Sequence, residues 1–253
     1  MSITAIFALG FAPGIFWLWY FYKQDKWEPE PKLLVIKTFC WGFAAALVAA
    51  IFEAPFIHYK IFSLVVLAPV VEELTKFSVV RFTMYNNPEF DEPMDGITYA
   101  AAAALGFASV ENSFYLLSSS GVAFSYLVAP AAPSASDGLI STFVLRALLS
   151  VPGHVLFSSM WGYALGWGKF VNKNARYHFL IQGYLLAITF HSVFNFLAIL
   201  PSYGSLLLLL FVPVLWKVAG KRIHTALANS PFINEKPSEQ QTNQEGDFVT
   251  PDR

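Results

Sequence analysis

Residues 33–57 read LLVIKTFCWGFAAALVAAIFEAPFI. No charged side chain stands between Lys37 and Glu53. A run of about 20 apolar residues crosses the hydrocarbon core of a bilayer as a helix. Lys37 and Glu53 lie near the two ends, where a long side chain can carry its charge out to the interface. The same pattern recurs at 2–22, 60–82, 96–118, 139–168, 177–200 and 203–219. The expected fold is therefore all-α, a polytopic transmembrane helical bundle of seven spans. An eighth apolar stretch, 119–130, is short and ends at Pro130, so it reads as an interfacial or re-entrant piece.

Composition agrees. Of 253 residues, 56% are hydrophobic and 13% charged, the latter about half the usual share of a soluble domain. Mean hydropathy is +0.51. Disordered, collagen-like and ordinary soluble enzyme classes are excluded. Sixteen Lys/Arg against seventeen Asp/Glu leave a net charge of −1, with no basic surplus for nucleic acid. The single cysteine, Cys40, excludes an internal disulfide or a Cys-based zinc site.

Positive charge sets the orientation. With the N-terminus outside, inner loops carry Lys23, Lys26, Lys32, Arg81, Lys169, Lys173, Arg176, Lys217, Lys221 and Arg222, whereas outer loops carry Lys60. Counting 119–130 as a crossing puts the 169–176 cluster outside, against that rule. The first span lacks a basic n-region and a small-residue cleavage pattern, so it reads as retained. Residues 1–220 form one membrane-embedded domain on this reading. Residues 221–253 form a polar, disordered cytosolic tail.

Ionisable residues inside spans cost roughly 2.5–3.5 kcal/mol each on insertion scales, so they face the bundle interior and pair. Glu72, Glu73 and Lys76 share one helix face in the third span. Glu111 and Asn112 lie in the fourth span, Arg146 and His154 in the sixth, and His191 and Asn195, one turn apart, in the seventh. Each has a bland alternative. The carboxylates and Lys76 can be a packing ion pair, Glu111 a protonated helix–helix hydrogen-bond acid, and each histidine a helix–helix donor. Arg146 reads as a structural charge partner for Glu72, Glu73 or Glu111. At about 1.5 Å rise per residue, Glu72, Glu111, His154 and His191 all fall in the middle-to-outer part of the bilayer, so one shared cavity is geometrically allowed. Three residues look peripheral. Glu53 reads as snorkelling, Glu92 as part of a solvated acidic loop at 89–92, and Asp95 as the cap of the fourth span.

The ordered set Glu28-Pro29-Glu30-Pro31, Glu72-Glu73-x-x-Lys76, Phe90-Asp91-Glu92-Pro93-Met94-Asp95-Gly96, Gly106-Phe107-x-x-x-Glu111-Asn112, His154 and His191-x-x-x-Asn195 resembles the PrsW family of intramembrane proteases. These are polytopic bacterial membrane endopeptidases, distantly related to the CAAX prenyl proteases. The resemblance spans roughly residues 25–200. It implies an enzyme of the bacterial inner membrane that cleaves a single-pass membrane substrate, an anti-sigma factor in the family's best-known role. No His-Glu-x-x-His pair, Gly-x-Gly-Asp motif or Gly-x-Ser-Gly motif is present. Water is then the nucleophile, with no cofactor, and Glu72 the general base, a role Glu73 could exchange. His191 and Asn195 position the water and the developing oxyanion, Glu111 holds His191 or the water, and His154 protonates the leaving amine. A zinc version stays open, with Glu72, Glu111, His154 and His191 as ligands. A proton- or cation-coupled carrier or a non-catalytic scaffold would use similar residues; the absence of internal repeats weighs against the carrier.

Overall fold

A computed structural model describes residues 2–120, 138–201 and 203–234. Seven helical rods make up these residues, with no strand among them. Two rods are α1 (Ile3–Tyr22) and α2 (Lys32–Glu53), the latter tightening into a 3₁₀ turn at Ala54–Phe56. The third rod joins α3 (Lys60–Phe62), a π-helical turn (Ser63–Leu67) and α4 (Ala68–Thr83). The fourth is α5 (Asp95–Ser119). The fifth joins α6 (Leu139–Leu145), a second π-helical turn (Arg146–Ser150) and α7 (Val151–Gly168). The last two are α8 (Lys173–Ile199) and α9 (Gly204–Ala228).

The seven expected stretches thus appear as seven rods. Five of them are long and apolar enough to cross a membrane: Ile3–Tyr22, Lys32–Phe56, Asp95–Ser119, Leu139–Gly168 and Lys173–Ile199. In the rod ending at Thr83, Glu72, Glu73, Lys76 and Arg81 dilute the hydropathy. Helix α9 continues to Ala228, past the boundary at 220 read from the sequence. Most of the 119–130 stretch and of the expected tail lies outside the described residues.

The bundle is dressed for lipid. Ile51, Ile61, Phe82 and Ile140 are exposed on its outside, whereas Glu72, Glu73 and Lys76 are buried within it. The hub is α5, buried at every residue from Asp95 to Ser109. It packs on α7, α2 and α1. Its run Ala100–Ala104 and Gly106 keep the surface flat. A Cβ on Gly106 would run into the Phe39 carbonyl of α2, and one on Gly42 into the Ala103 carbonyl of α5. Small residues at this crossing let the two backbones touch.

Both rods that carry a π turn place a proline just after it. Pro69 and Pro152 lack an N–H and would press on the carbonyl one turn back in a regular helix. The wider turn relieves that clash, but it leaves one carbonyl without a partner in each rod. The N–H of Ala68 bonds Ser63, and that of Val151 bonds Arg146. The next donor for Leu64 is Pro69, and for Ala147 it is Pro152, so neither helix can serve its own carbonyl. Side chains from other helices do so instead. Asn195 Nδ2 of α8 donates to the Leu64 carbonyl at 2.9 Å, and Trp17 Nε1 of α1 donates to that of Ala147 at 2.9 Å.

Candidate active site

The turns after the two prolines bring chemistry together. On α4 the i, i+3 and i+4 spacing stacks Glu72, Glu73 and Lys76 on one face. Lys76 Nζ donates to Glu72 Oε2 at 3.2 Å, Glu73 Oε1 at 3.0 Å and His154 Nδ1 at 3.0 Å, which uses all three of its protons. Because Lys76 has no lone pair to offer, His154 Nδ1 is the acceptor. The His154 proton therefore sits on Nε2, 2.9 Å from Glu111 Oε2. Arg146 holds Glu111 from the other side, Nη2 to Oε2 at 2.8 Å, and donates from Nε to Asn112 Oδ1 at 3.0 Å. Its guanidinium lies over the Tyr115 ring, 3.7 Å from the centroid.

Glu73 is saturated. Besides Lys76 it accepts from Ser158 Oγ at 2.7 Å and Trp161 Nε1 at 2.9 Å, and its Oε1 lies 3.1 Å from His191 Nδ1. That contact gives His191 its Nδ1 proton and leaves Nε2 as a lone pair. Glu72 has Lys76 as its one close partner. Its Oε2 stands 3.8 Å from both His154 Nδ1 and His191 Nε2. The neighbouring carboxylates are thus unlike: Glu72 borders a cavity, whereas Glu73 lies behind it.

That cavity measures about 470 Å³. Glu53, Glu72, Glu111, Arg146, His154, His191 and Asn195 form its polar wall. Ala46, Ala49, Leu64, Phe107 and Leu208 are among its apolar walls. The mixture of apolar lining and a few convergent polar groups is typical of a substrate site.

Several sequence expectations need revision. Glu111 holds His154, not His191, whose partner is Glu73. Of the three acids expected as its partner, Arg146 pairs with Glu111. Asn195 borders the cavity, but one amide proton is committed to Leu64. Glu53 does not reach outward: it lines the cavity with Oε1 buried and unpartnered. Glu92 is fully buried rather than solvated. Asp95 caps no helix end; its Oδ2 accepts from the N–H groups of Asp91 and Glu92 in the preceding loop. Ser158 and Trp161 were missed, although they stand at i+4 and i+7 from His154, the same face of α7.

The residues present fit a metal ion. Donor atoms of Glu72, His154 and His191 all lie within 4.8 Å of one another and all three residues are buried. Two imidazoles and a carboxylate are a common catalytic zinc set. Each imidazole also has its other nitrogen against a carboxylate, Glu111 or Glu73, as metal-binding histidines usually do. Charge points the same way: Glu72, Glu73 and Glu111 outnumber Lys76 and Arg146 by one.

Apolar outer faces around a buried centre of acids and imidazoles define a multi-pass helical membrane protein with a site suited to hydrolysis. Residues 30–218 match the PrsW family intramembrane metalloprotease, and the chain belongs to the PrsW family. Similar proteins include Protease PrsW of Geobacillus kaustophilus, 33% identical over 88% of this chain and 92% of that one. Protease PrsW of Oceanobacillus iheyensis is 32% identical over 90% of this chain and 99% of its own. Protease PrsW of Bacillus subtilis is 30% identical over 84% and 91%. No solved structure matches the chain.

Proposed function

We propose that this chain is an endopeptidase of the bacterial inner membrane that hydrolyses a peptide bond in a membrane-anchored, single-pass protein. An anti-sigma factor is the substrate type the family resemblance suggests. The seven-span, N-terminus-outside arrangement expected from charge belongs to this reading. The observation that carries it is the asymmetry of the paired acids. Glu72 and the Nε2 lone pair of His191 border the cavity, while Glu73 lies behind them; Glu111, also on the wall, is engaged by Arg146 and His154.

The division of labour follows. Glu73, held by Ser158, Trp161 and Lys76, fixes the tautomer and ring of His191. Glu111, held by Arg146, does the same for His154. Glu72, His154 and His191 would hold a zinc-type ion, which supplies an acidified water and polarises a carbonyl. Asn195 and Arg146 line the wall with N–H groups beyond those used by Leu64, Glu111 and Asn112, placed to receive a developing oxyanion.

A second reading is favoured by Lys76, whose ammonium already occupies His154 Nδ1. In it the water is activated without a metal, with Glu72 as base and His154 as proton donor to the leaving amine. One experiment tests both. The purified protein is assayed for fragments of a single-pass membrane protein beside Glu72→Gln, before and after chelation and zinc refilling. Loss in chelator with recovery in zinc supports the metal version, and indifference to chelator the glutamate version. Equal fragments from wild type and Glu72→Gln would end the proteolytic reading.

A further inference from the structure

A separate group of acids gathers at the opposite end of α5. Asp25 follows α1, Glu30 precedes α2, Glu92 precedes α5 and Asp95 begins it. Asp95 and Glu111 share this helix sixteen positions apart, so about 24 Å separates this group from the candidate active site. All four acids are buried, Glu30, Glu92 and Asp95 completely. Carboxylate oxygens of Asp25, Glu92 and Asp95 lie within 4.8 Å of one another.

Their hydrogen bonding is incomplete in a specific way. Asp25 Oδ2 accepts from Thr98 at 3.2 Å, Glu30 Oε2 from Tyr99 at 2.5 Å, and Asp95 Oδ2 from two backbone N–H groups at 2.6 and 2.7 Å. Asp25 Oδ1, Glu30 Oε1, Asp95 Oδ1 and both oxygens of Glu92 accept no hydrogen bond of ordinary geometry; what faces them is another carboxyl, Asp95 against Glu30 and Asp25 against Glu92. Ser230 and Asp25 lie near Glu92, yet neither makes a hydrogen bond of ordinary geometry to it. Among the described residues no Lys, Arg or His pairs with any of the four. Lys169, whose charge acts on Asp95 from a distance, donates to the Phe90 carbonyl at 2.6 Å. Glu92 thus has neither a paired counter-charge nor a hydrogen-bond donor, a state a buried carboxylate does not ordinarily hold.

We propose that Asp25, Glu92 and Asp95, with Glu30 behind them, form a site for a hard divalent cation of the Mg²⁺, Mn²⁺ or Ca²⁺ type. The ligands are oxygens throughout, which selects such ions over zinc. The ion would staple three segments: the α1–α2 loop through Asp25 and Glu30, the α4–α5 loop through Glu92, and the first turn of α5 through Asp95.

The test uses the full chain in detergent, stripped of metals. Mn²⁺ binding is followed by electron paramagnetic resonance, and Tb³⁺ binding by luminescence sensitised from aromatic rings such as Tyr99. The wild type is expected to bind one ion at this site, displaced by Ca²⁺ or Mg²⁺. Glu92→Gln and Asp25→Asn each weaken it by about tenfold or more, since a lost ligand costs at least what a lost outer partner does. Glu72→Gln leaves the binding unchanged. Absence of Mn²⁺ and Tb³⁺ binding to the wild type overturns the proposal, and so does binding of equal strength by the Glu92 and Asp25 variants. Binding lost in Glu72→Gln instead assigns the ion to the candidate active site and also overturns it. Glu92→Gln removes a buried charge without changing shape, and the wild-type measurement decides even if either variant misfolds.

Discussion

Lys76 Nζ of α4 lies 3.0 Å from His154 Nδ1 of α7. Two basic groups meet there because Glu72 and Glu73 flank the ammonium, and the contact dictates on which nitrogen His154 carries its proton. Lys76→Met should therefore remove the ammonium shared by Glu72 and Glu73, leave Glu72 without its one close partner, and destabilise the protein by about 3–5 kcal/mol. Unfolding in a graded denaturant checks this; a variant as stable as the wild type contradicts the pairing described.

Glu72→Gln and Glu73→Gln should separate. Glu72 has one close partner, so its variant keeps the fold and loses cleavage by about 100- to 10,000-fold. Glu73 is the junction of Lys76, His191, Ser158 and Trp161, so its variant loses stability and cleavage together. Parallel melting and fragment assays distinguish the two. Interchangeable behaviour contradicts the asymmetry.

Ser158→Ala and Trp161→Phe each remove one donor from an ionised Glu73, a bond worth roughly 1.5–3 kcal/mol. Neither side chain lines the cavity, so their expected signature is a drop in kcat with KM unchanged. An altered KM alone would mean that they touch substrate.

Arg146→Met leaves Glu111 with His154 as its remaining partner and should lower cleavage about 10- to 100-fold, the usual effect of losing an orienting group. Arg146→Lys restores the charge but cannot serve both Glu111 and Asn112 through one planar fork, so rescue is partial. Complete rescue would reduce Arg146 to a counter-ion.

Asn195→Ala and Trp17→Phe form a matched pair. Each orphans one proline-stranded carbonyl and should cost about 1–3 kcal/mol. Only Asn195 borders the cavity, so only its variant should lose cleavage per folded molecule. Equal specific activities would make Asn195 purely structural.

The rods were legible because lipid demands long apolar runs, and Glu72, Glu73, Lys76, Glu111, His154 and His191 stood out because charge is expensive there. Spacing along one helix revealed which groups share a face, but not which partner another helix presents. That is why the sequence points Glu111 to His191 or the water, whereas the helix across from it presents His154. Glu53 departs from its expected place since distance along α2 tells depth, not direction, and the cavity reaches the C-terminal end of that helix. Glu92 and Asp25 sit in short charged loops, which ordinarily face water; their burial arises from packing at the foot of α5. Ser158 and Trp161 are ordinary residue types in a span, and only the position of Glu73 across the bundle gives them a role.

A helix in lipid normally satisfies its own backbone before it meets any neighbour. Pro69 and Pro152 deny that independence to the two rods that carry Glu72, Glu73, Lys76 and His154. Their last free carbonyls wait for α1 and α8, and α8 also brings His191. A nascent chain that has inserted only as far as α7 thus holds most of the reactive groups in an unfinished backbone. The arrangement of acids and imidazoles is therefore incomplete until α8 docks, since that helix supplies both the donor for the Leu64 carbonyl and His191.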